Sequence, residues 1–190
     1  MKKYKTILMD PPWAEIGGGK IKRGADRHYG VLKTPDIIQT ILTSAWAPDR
    51  SGCHVWCWVT DNYLRDGLMI FDALGVRYIR TFCWTKILAD SDGRSKIDED
   101  GLPRLHMGLG QYGRGSHELV LFGVIGRQKA LARDQRSVVC APVTGHSRKP
   151  ERFYDLIETV SPAPRLELFA RHTRPGWDSW GAEVNAATSR

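Results

Sequence analysis

The residues of this sequence best suited to chemistry form a tetrad near the start of the chain, Asp10-Pro11-Pro12-Trp13. The Asp10 carboxylate and the Pro11 carbonyl, held by stiff prolines, would be two hydrogen-bond acceptors at fixed positions. Together they would accept both N–H groups of an aromatic amine, which draws its nitrogen toward tetrahedral geometry and aims the lone pair outward. Trp13 offers a π-face on which a flat base stacks. The tetrad therefore suits group transfer to an exocyclic amine, and the plain alternative is a strand end where Asp10 caps a turn.

The segments that must position this tetrad alternate between strand and helix patterns. Strands are predicted at residues 6–9, 53–60, 76–86, 117–125, 138–141 and 166–170, and helices at 34–45, 62–74 and 150–160. Thr34 is predicted as the N-cap of the first helix, followed by Pro35. Such alternation predicts an α/β fold in which helices cover both faces of a mostly parallel sheet. Ligands of these sheets bind beyond the carboxyl ends of the strands, where Asp10 and His172 fall.

The chain length of 190 residues, with 42% hydrophobic residues, fits a single domain over residues 1–190. Polar, glycine-rich stretches at about 14–32 and 88–116 are predicted as long loops, and the second is a candidate for target selection. The apolar run 119–126 is too short to span a bilayer, and residues 7–9 are too few for a signal peptide. Four cysteines without a disulfide spacing favour a reducing, cytoplasmic compartment. No metal is expected, because Cys53 and Cys57 would point away from His54 on a strand.

The formal net charge of +7 favours a polyanionic partner, most simply nucleic acid. Three basic residues of the first loop, Lys20, Lys22 and Arg23, follow the tetrad closely and are candidates for contacts with a phosphate backbone. A solvated loop is the alternative for them. A base held at the tetrad must leave the duplex stack or come from a single strand.

Further segments, in the same order along the chain, resemble the MT-A70 family of adenine-N6 methyltransferases. They are His28-Tyr29-Gly30, Trp58-Val59-Thr60, Trp84-Thr85-Lys86, His117-Glu118-Leu119-Val120, the run from His146 to Glu151, the run from Leu166 to Arg171, and Gly176-Trp177 to Gly181. The resemblance covers about residues 5–183 and is to the compact bacterial or phage type. It implies a Rossmann-like class I methyltransferase fold in permuted order, with the catalytic tetrad before the cofactor strand, and S-adenosyl-L-methionine as the cofactor.

The resemblance also implies roles for single residues. The tetrad is catalytic, and Asp10 also contacts the cofactor. Lys149 meets the methionine carboxylate at a helix start, where backbone N–H groups favour an anion; a solvated lysine is the alternative. The other implied cofactor residues are Glu167, Leu168 and Phe169 beside the adenosine, Arg171 and His172 at the ribose, and Glu183. Tyr29 flanks the target base, and Trp84 and Lys86 line the mouth of the pocket, with core burial as the alternative for Trp84.

We therefore expect an S-adenosylmethionine-dependent methyltransferase that acts on N6 of adenine in DNA. Methylation of RNA and a catalytically silent nucleic-acid-binding partner remain the alternatives. Ala182 stands where the eukaryotic RNA enzymes of the family carry asparagine, so side-chain hydrogen bonds from that position are lost. The intact Asp10 and Trp13 favour an active enzyme. A homodimer is compatible with the sequence.

Overall fold

The computed structural model describes residues 2–14, 32–108, 110, 112–145 and 148–184. In these segments seven strands form one sheet in the order β5-β3-β4-β2-β1-β6-β7. The strands are β1 (Thr6–Met9), β2 (Gly52–Val59), β3 (Arg77–Ile87), β4 (His117–Gly126), β5 (Val138–Pro142), β6 (Arg165–Leu168) and β7 (Trp177–Trp180). The longer helices are α1 (Thr34–Thr43), α2 (Leu64–Leu74) and α3 (Glu151–Val160). None of the helices in this described part is long and apolar enough to cross a membrane.

Most neighbouring strands run parallel, which confirms the predicted α/β fold. β1 lies parallel to β2 and β6, β3 lies parallel to β5, and β6 lies parallel to β7. β4 alone among these strands runs antiparallel to both of its neighbours, β2 and β3. Because β4 is reversed, its first residues lie at the same edge of the sheet as the last residues of β1, β2 and β3.

Helices cover both faces of the sheet, as predicted. In β1, Ile7 and Met9 face the buried cluster that includes residues of α1 and α2, whereas Leu8 faces the cluster that includes α3. This alternation follows from the two-residue period of a strand. Each fully buried side chain of this size contributes about 1.5–3 kcal/mol relative to exposure, so the two clusters fix how the strands lie against the helices.

Two local predictions were wrong. α1 begins one residue earlier than expected: its N-cap is Lys33, and the Thr34 hydroxyl donates to the Asp66 carboxylate on α2 instead of capping the helix. The second error concerns residues 177–180, for which no strand was predicted but which form β7. This four-residue strand contains Asp178 and Ser179, so it lacks the apolar alternation that marks a strand in sequence.

The predicted loop 88–116 begins as a compact β-ribbon. Ile87 bridges to Leu105, and Ala89 bridges to Ser95, both antiparallel. Two tight turns shape the ribbon, at residues 90–94 and 98–102, and in each an aspartate carboxylate accepts backbone N–H groups two and four residues later. The ribbon contacts the end of β3, where the backbone N–H of His106 donates to the Lys86 carbonyl at 2.8 Å.

Candidate active site

The Asp10 carboxylate lies at the point where the strand connections diverge. Met9 is in register with Cys57 of β2 on one side and with Leu168 of β6 on the other. The chain leaves β1 through α1 toward β2, whereas β6 continues to β7 in the opposite direction. In open α/β sheets such a switch point leaves a crevice beyond the carboxyl ends of the strands, and ligands bind there.

Strand alternation places charged side chains on the α3 side of this edge. Asp10 follows Leu8 by two residues, and Glu118 precedes the buried Val120 by two, so both lie on the face that α3 covers. Glu167 is in register with Leu8 and shares that face. Lys149, immediately before α3, therefore meets acidic side chains from two strands.

Three of these side chains and Lys86 form a row of alternating charge. The Nζ atom of Lys149 lies 3.3 Å from Oδ1 of Asp10 and 3.0 Å from Oε2 of Glu118. The other Glu118 oxygen, Oε1, lies 2.7 Å from Nζ of Lys86. These side chains are 12–20% exposed, so water screens their charges only partly. Two acids and two lysines leave the cluster without a formal net charge.

The row of charges sets the protonation of its members. Burial raises the pKa of Asp10, and Lys149 opposes this shift only in part. Burial alone would raise the pKa of Glu118, but Lys149 and Lys86 outweigh burial and hold that pKa below its ordinary value. Burial alone would lower the pKa of Lys149, but the attraction of Asp10 and Glu118 raises it instead. Lys149 is therefore a permanent cation at neutral pH.

A cavity of about 550 Å³ opens beside Asp10, between the start of α3 and the end of β6. Seven residues predicted to hold the cofactor line this cavity, namely Asp10, Lys149, Glu167, Phe169, Arg171, His172 and Glu183. Leu168 does not line it, because its side chain is fully buried in the core. The structure thus brings together residues that the sequence places far apart.

The cavity wall also contains residues that the sequence analysis did not select. The Tyr154 hydroxyl donates to Oε1 of Glu167 at 2.8 Å. The Arg174 guanidinium lies 3.8 Å from the centre of the Tyr154 ring and pairs with Glu151. Burial raises the pKa of Glu167 to about 7, although the Tyr154 hydrogen bond lowers it. Tyr154 lies on α3 four residues after Pro150, and its helical spacing from the matched motif was the signal available in the sequence.

The tetrad forms a tight turn whose aromatic residue is buried. The backbone N–H of Trp13 donates to the Pro11 carbonyl at 2.9 Å, and this carbonyl retains a second lone pair for another donor. The Trp13 ring is 5% exposed, stacks on Tyr63 with 5.3 Å between ring centres, and donates from Nε1 to the Trp58 carbonyl at 3.0 Å. The expectation that Trp13 stacks on a base is therefore corrected: the ring anchors the turn to β2 in this structure.

The structure also places two other predicted substrate residues. Trp84 is 2% exposed and donates to the Ala141 carbonyl at 2.9 Å, so core burial, the alternative for this residue, describes it. The Lys86 ammonium pairs with Glu118 and lies 5.1 Å from the centre of the Trp84 ring, and Lys86 is not among the residues that line the cofactor cavity. The remaining predicted substrate residues, Tyr29, Lys20, Lys22 and Arg23, lie outside the described residues.

The backbone after β6 is strained where it meets the cavity. Phe169 has a φ of 62°, a left-handed conformation that costs a residue with a side chain roughly 1–2 kcal/mol. Packing holds it there: its ring contacts Trp180 edge-on, and the Ala170 N–H donates to the Trp180 carbonyl at 3.0 Å. A Cβ atom on Gly181 would lie 2.2 Å from the Ala170 carbonyl oxygen, so glycine is required beside this turn. Strain maintained in this way is typical of ligand-binding sites.

The strand order and the acidic turn beside the cavity define a Rossmann-like fold of the methyltransferase type. A family model described as MT-A70 matches residues 4–183. The chain therefore belongs to the MT-A70 family, as its motifs predicted.

Three curated relatives illustrate the range of the family. The type II methyltransferase M.MunI of Mycoplasma sp. is 27% identical, over 96% of this chain and 78% of its own length. The N(6)-adenine-specific methyltransferase METTL4 of Homo sapiens is 26% identical, over 96% of this chain and 38% of its own. The N6-methyladenosine RNA methyltransferase MTA1 of Pyricularia oryzae is 30% identical, over 95% and 47%. This chain thus spans most of the first relative and less than half of the other two.

Proposed function

We propose that this protein transfers a methyl group from S-adenosyl-L-methionine to N6 of adenine in DNA. The observation that carries the proposal is the position of the Asp10 carboxylate, which lies at the switch point of the sheet and in the wall of the cavity. A carboxylate in that position can accept hydrogen bonds from a substrate amine at the edge of a bound ligand. The names of the relatives supply the reaction class, since they describe N6-adenine methyltransferases.

The residues around the cavity fit S-adenosylmethionine. The cavity volume of about 550 Å³ lies within the range of ordinary small-molecule sites. Lys149 offers a cation for the methionine carboxylate, and Asp10 and Glu167 offer negative charge to the ammonium and the sulfonium. Phe169 presents an apolar surface for the adenine. When bound, this cofactor supplies an activated methyl group on positively charged sulfur.

The protein's own contribution is to bind and orient the amine. Asp10 would accept one N–H, and the free lone pair of the Pro11 carbonyl would accept the other. Because the prolines and the Trp13 anchor fix this turn before the substrate arrives, little reorganisation is needed during the reaction. The raised pKa of Asp10 also makes its carboxylate a better acceptor for the proton that the amine loses.

A comparison of DNA and RNA tests the substrate. Purified protein would receive S-adenosylmethionine with a methyl label and matched single- and double-stranded DNA and RNA pools, with the Asp10→Asn variant as the control. We expect labelled N6-methyladenine in DNA from the wild type and at least a hundredfold less from the variant, because the asparagine amide is a neutral, weaker acceptor and cannot take up the proton that the amine loses. Label in RNA alone would replace DNA by RNA as the substrate, and an active Asp10→Asn variant would overturn the mechanism.

RNA is the second candidate because one relative is named as an RNA methyltransferase. DNA is favoured because, of the three relatives above, the one that this chain covers most fully is named as a type II methyltransferase and not as an RNA methyltransferase. A silent binding partner is the weakest alternative, since Asp10 faces a cavity that fits the cofactor. Calorimetry with S-adenosylmethionine tests this alternative.

Free thiols at all four cysteines agree with a cytoplasmic site of action. Sedimentation would test the expected homodimer.

A further inference from the structure

Glu118 forms ion pairs with two lysines, yet it does not line the cavity. It comes from the start of β4, the reversed strand, and its two carboxylate oxygens contact two different lysines. One oxygen lies 3.0 Å from Nζ of Lys149 and the other 2.7 Å from Nζ of Lys86. A buried carboxylate with both oxygens paired by cations is costly to replace and rigid in position.

Lys149 has three N–H donors on its ammonium. Two of them are accounted for by Asp10 and Glu118, which approach Nζ at 3.3 and 3.0 Å. The ammonium also lies 4.9 Å from the centre of the Trp58 ring, so one side of it is shielded by an aromatic face. Because Lys149 is also a residue of the cavity wall, its remaining N–H is the one available to an anionic group of a ligand.

A flexible lysine next to a single acid would pair with that acid as closely as it can. Asp10 is such an acid, and full pairing would draw the ammonium of Lys149 toward Asp10 and occupy the carboxylate that the substrate amine needs. Glu118, at the start of β4, contacts the same ammonium and approaches it more closely than Asp10 does. Lys86 neutralises the second negative charge that Glu118 brings into the protein interior.

We propose that Glu118 is a positioning residue that holds the Lys149 ammonium at the cavity wall, where its third N–H meets the carboxylate of the bound cofactor while Asp10 stays open to the substrate amine. The proposal rests on the proposed function, because it takes the methionine carboxylate of S-adenosylmethionine as the anionic group. Glu118 itself touches neither ligand in this arrangement, and it acts through Lys149.

This role and a purely electrostatic role predict different orders of effect on two ligands that differ only in the carboxylate. If Glu118 mattered only as a negative charge, its neutralisation would weaken a doubly cationic ligand without the carboxylate more than S-adenosylmethionine, whose carboxylate offsets one of its two positive charges. If Glu118 positions Lys149, the same substitution lets the ammonium move onto Asp10, and only the ligand that has a carboxylate loses its partner. The comparison of the two ligands therefore separates the two roles.

The experiment is calorimetric binding of two probes, S-adenosylmethionine and its decarboxylated form, which lacks only the methionine carboxylate. For Glu118→Gln we expect about tenfold weaker binding of S-adenosylmethionine, the loss of one charge-assisted hydrogen bond. Binding of the decarboxylated probe should stay within about twofold of the wild type, within the experimental scatter of such affinities. Asp155→Asn, which removes one negative charge from the exposed side of α3, is the matched control and should leave both affinities unchanged.

A double-mutant cycle shows whether Glu118 acts through Lys149. In a Lys149→Met background, Glu118→Gln should cause no further loss of S-adenosylmethionine affinity. If Glu118→Gln does not fold, Glu118→Asp replaces it: the charge is retained, the carboxylate is withdrawn by one methylene, and a smaller loss for S-adenosylmethionine alone is expected.

Unchanged or tighter binding of S-adenosylmethionine by these variants, or a loss for the decarboxylated probe that equals or exceeds the loss for S-adenosylmethionine, would overturn the positioning role and leave the proposed function intact. A wild-type protein that binds neither probe would instead overturn the proposed function.

Discussion

Lys149 and Asp10 approach each other to 3.3 Å although one precedes α3 and the other follows β1. The contact forms because α3 covers the face of the sheet to which Asp10 points. A cation beside a buried carboxylate does two things here. It opposes the effect of burial on the pKa of Asp10, and, because it contacts Glu118 more closely, it leaves the Asp10 carboxylate open to a substrate amine.

Removal of this cation should cost both stability and cofactor affinity. In Lys149→Met, Asp10 and Glu118 lose their shared partner at a site where the lysine is 12% exposed. We expect a loss of about 3 kcal/mol in the free energy of unfolding, the typical cost of a buried charge left uncompensated, and at least tenfold weaker binding of S-adenosylmethionine. Urea titration and calorimetry measure the two effects. Lys129→Met, at an exposed position, is the control. Stability and cofactor affinity equal to those of this control would remove Lys149 from the site.

The pH dependence of cofactor binding should report on Glu167. Burial raises the pKa of this carboxyl to about 7, so it gains its negative charge as the pH rises through neutrality. A cationic ligand binds the ionised form better, and S-adenosylmethionine affinity should therefore increase from pH 6 to 8. In Glu167→Gln this part of the increase should vanish, and an identical pH profile for both proteins would contradict the assignment.

Tyr154 should set the midpoint of that transition. Its hydroxyl donates to Glu167 and so stabilises the charged carboxylate, which lowers the pKa of Glu167. Tyr154→Phe removes this donor, and we expect the step in affinity to move to higher pH by roughly one unit, as one lost hydrogen bond to a charged group allows. Tyr78→Phe, at an exposed tyrosine of β3, controls for the loss of a hydroxyl. A step that stays in place or moves to lower pH would show that the bond does not act on Glu167.

Local periodicity was sufficient to predict most of the fold. The apolar run 6–9 and the helical spacing at Phe153, Leu156 and Ile157 became β1 and the buried face of α3, because burial on one face selects that spacing. The reversal of β4 was not predicted, since an apolar strand such as 117–126 has the same pattern in either direction. That reversal brings Glu118 to the site, so its role depends on topology that the local pattern does not contain.

The candidate site was predicted in part, and for a similar reason. Motif resemblance selected Asp10, Lys149 and Glu167, whose contacts with the cavity follow from their places at strand and helix ends. Resemblance could not show which way an aromatic ring turns. Trp13 was assigned to a base by residue type and Trp84 to the pocket mouth by resemblance, with core burial as its alternative. Burying a large ring with its N–H satisfied is favourable, and both rings donate to backbone carbonyls in the core.

The buried position of Trp13 has a consequence for mutants of the tetrad. Trp13→Phe keeps the ring that stacks on Tyr63 but removes the Nε1 donor from the Trp58 carbonyl. We expect a loss of about 1–2 kcal/mol in stability, a lower kcat from a looser turn, and an unchanged KM for nucleic acid. Denaturant titration and steady-state kinetics measure these quantities. Trp46→Phe is the matched control, because Trp46 Nε1 has no hydrogen-bond partner among the described residues. A raised KM with normal kcat would restore Trp13 as a base-stacking residue.

The buried His54, on the opposite side of the fold from α1, should make the protein sensitive to mild acid. Its Nε2 lies 3.2 Å from the Gln128 carbonyl, which only accepts, so Nε2 carries the proton. Nδ1 then accepts from the Ser161 hydroxyl at 2.9 Å, and that oxygen also accepts from Trp56 Nε1 at 3.0 Å. Protonation of Nδ1 would remove the acceptor. Burial lowers the pKa of His54, although the hydrogen bond to the Gln128 carbonyl opposes this shift.

Because the folded state binds this proton less readily than the unfolded state, the contribution of His54 to stability is complete above about pH 6.5 and is lost as the pH falls below that value. The loss has a limiting slope of about 1.4 kcal/mol per pH unit for one proton. Urea titrations of the wild type and of His54→Gln at several pH values between 7.5 and 5 isolate it, since acids such as Glu167 titrate alike in both proteins. The difference in unfolding free energy should shrink on acidification by up to that slope. A constant difference across the range would mean that His54 binds its proton as readily in the folded as in the unfolded state, and its bond to Ser161 would have to be reassigned.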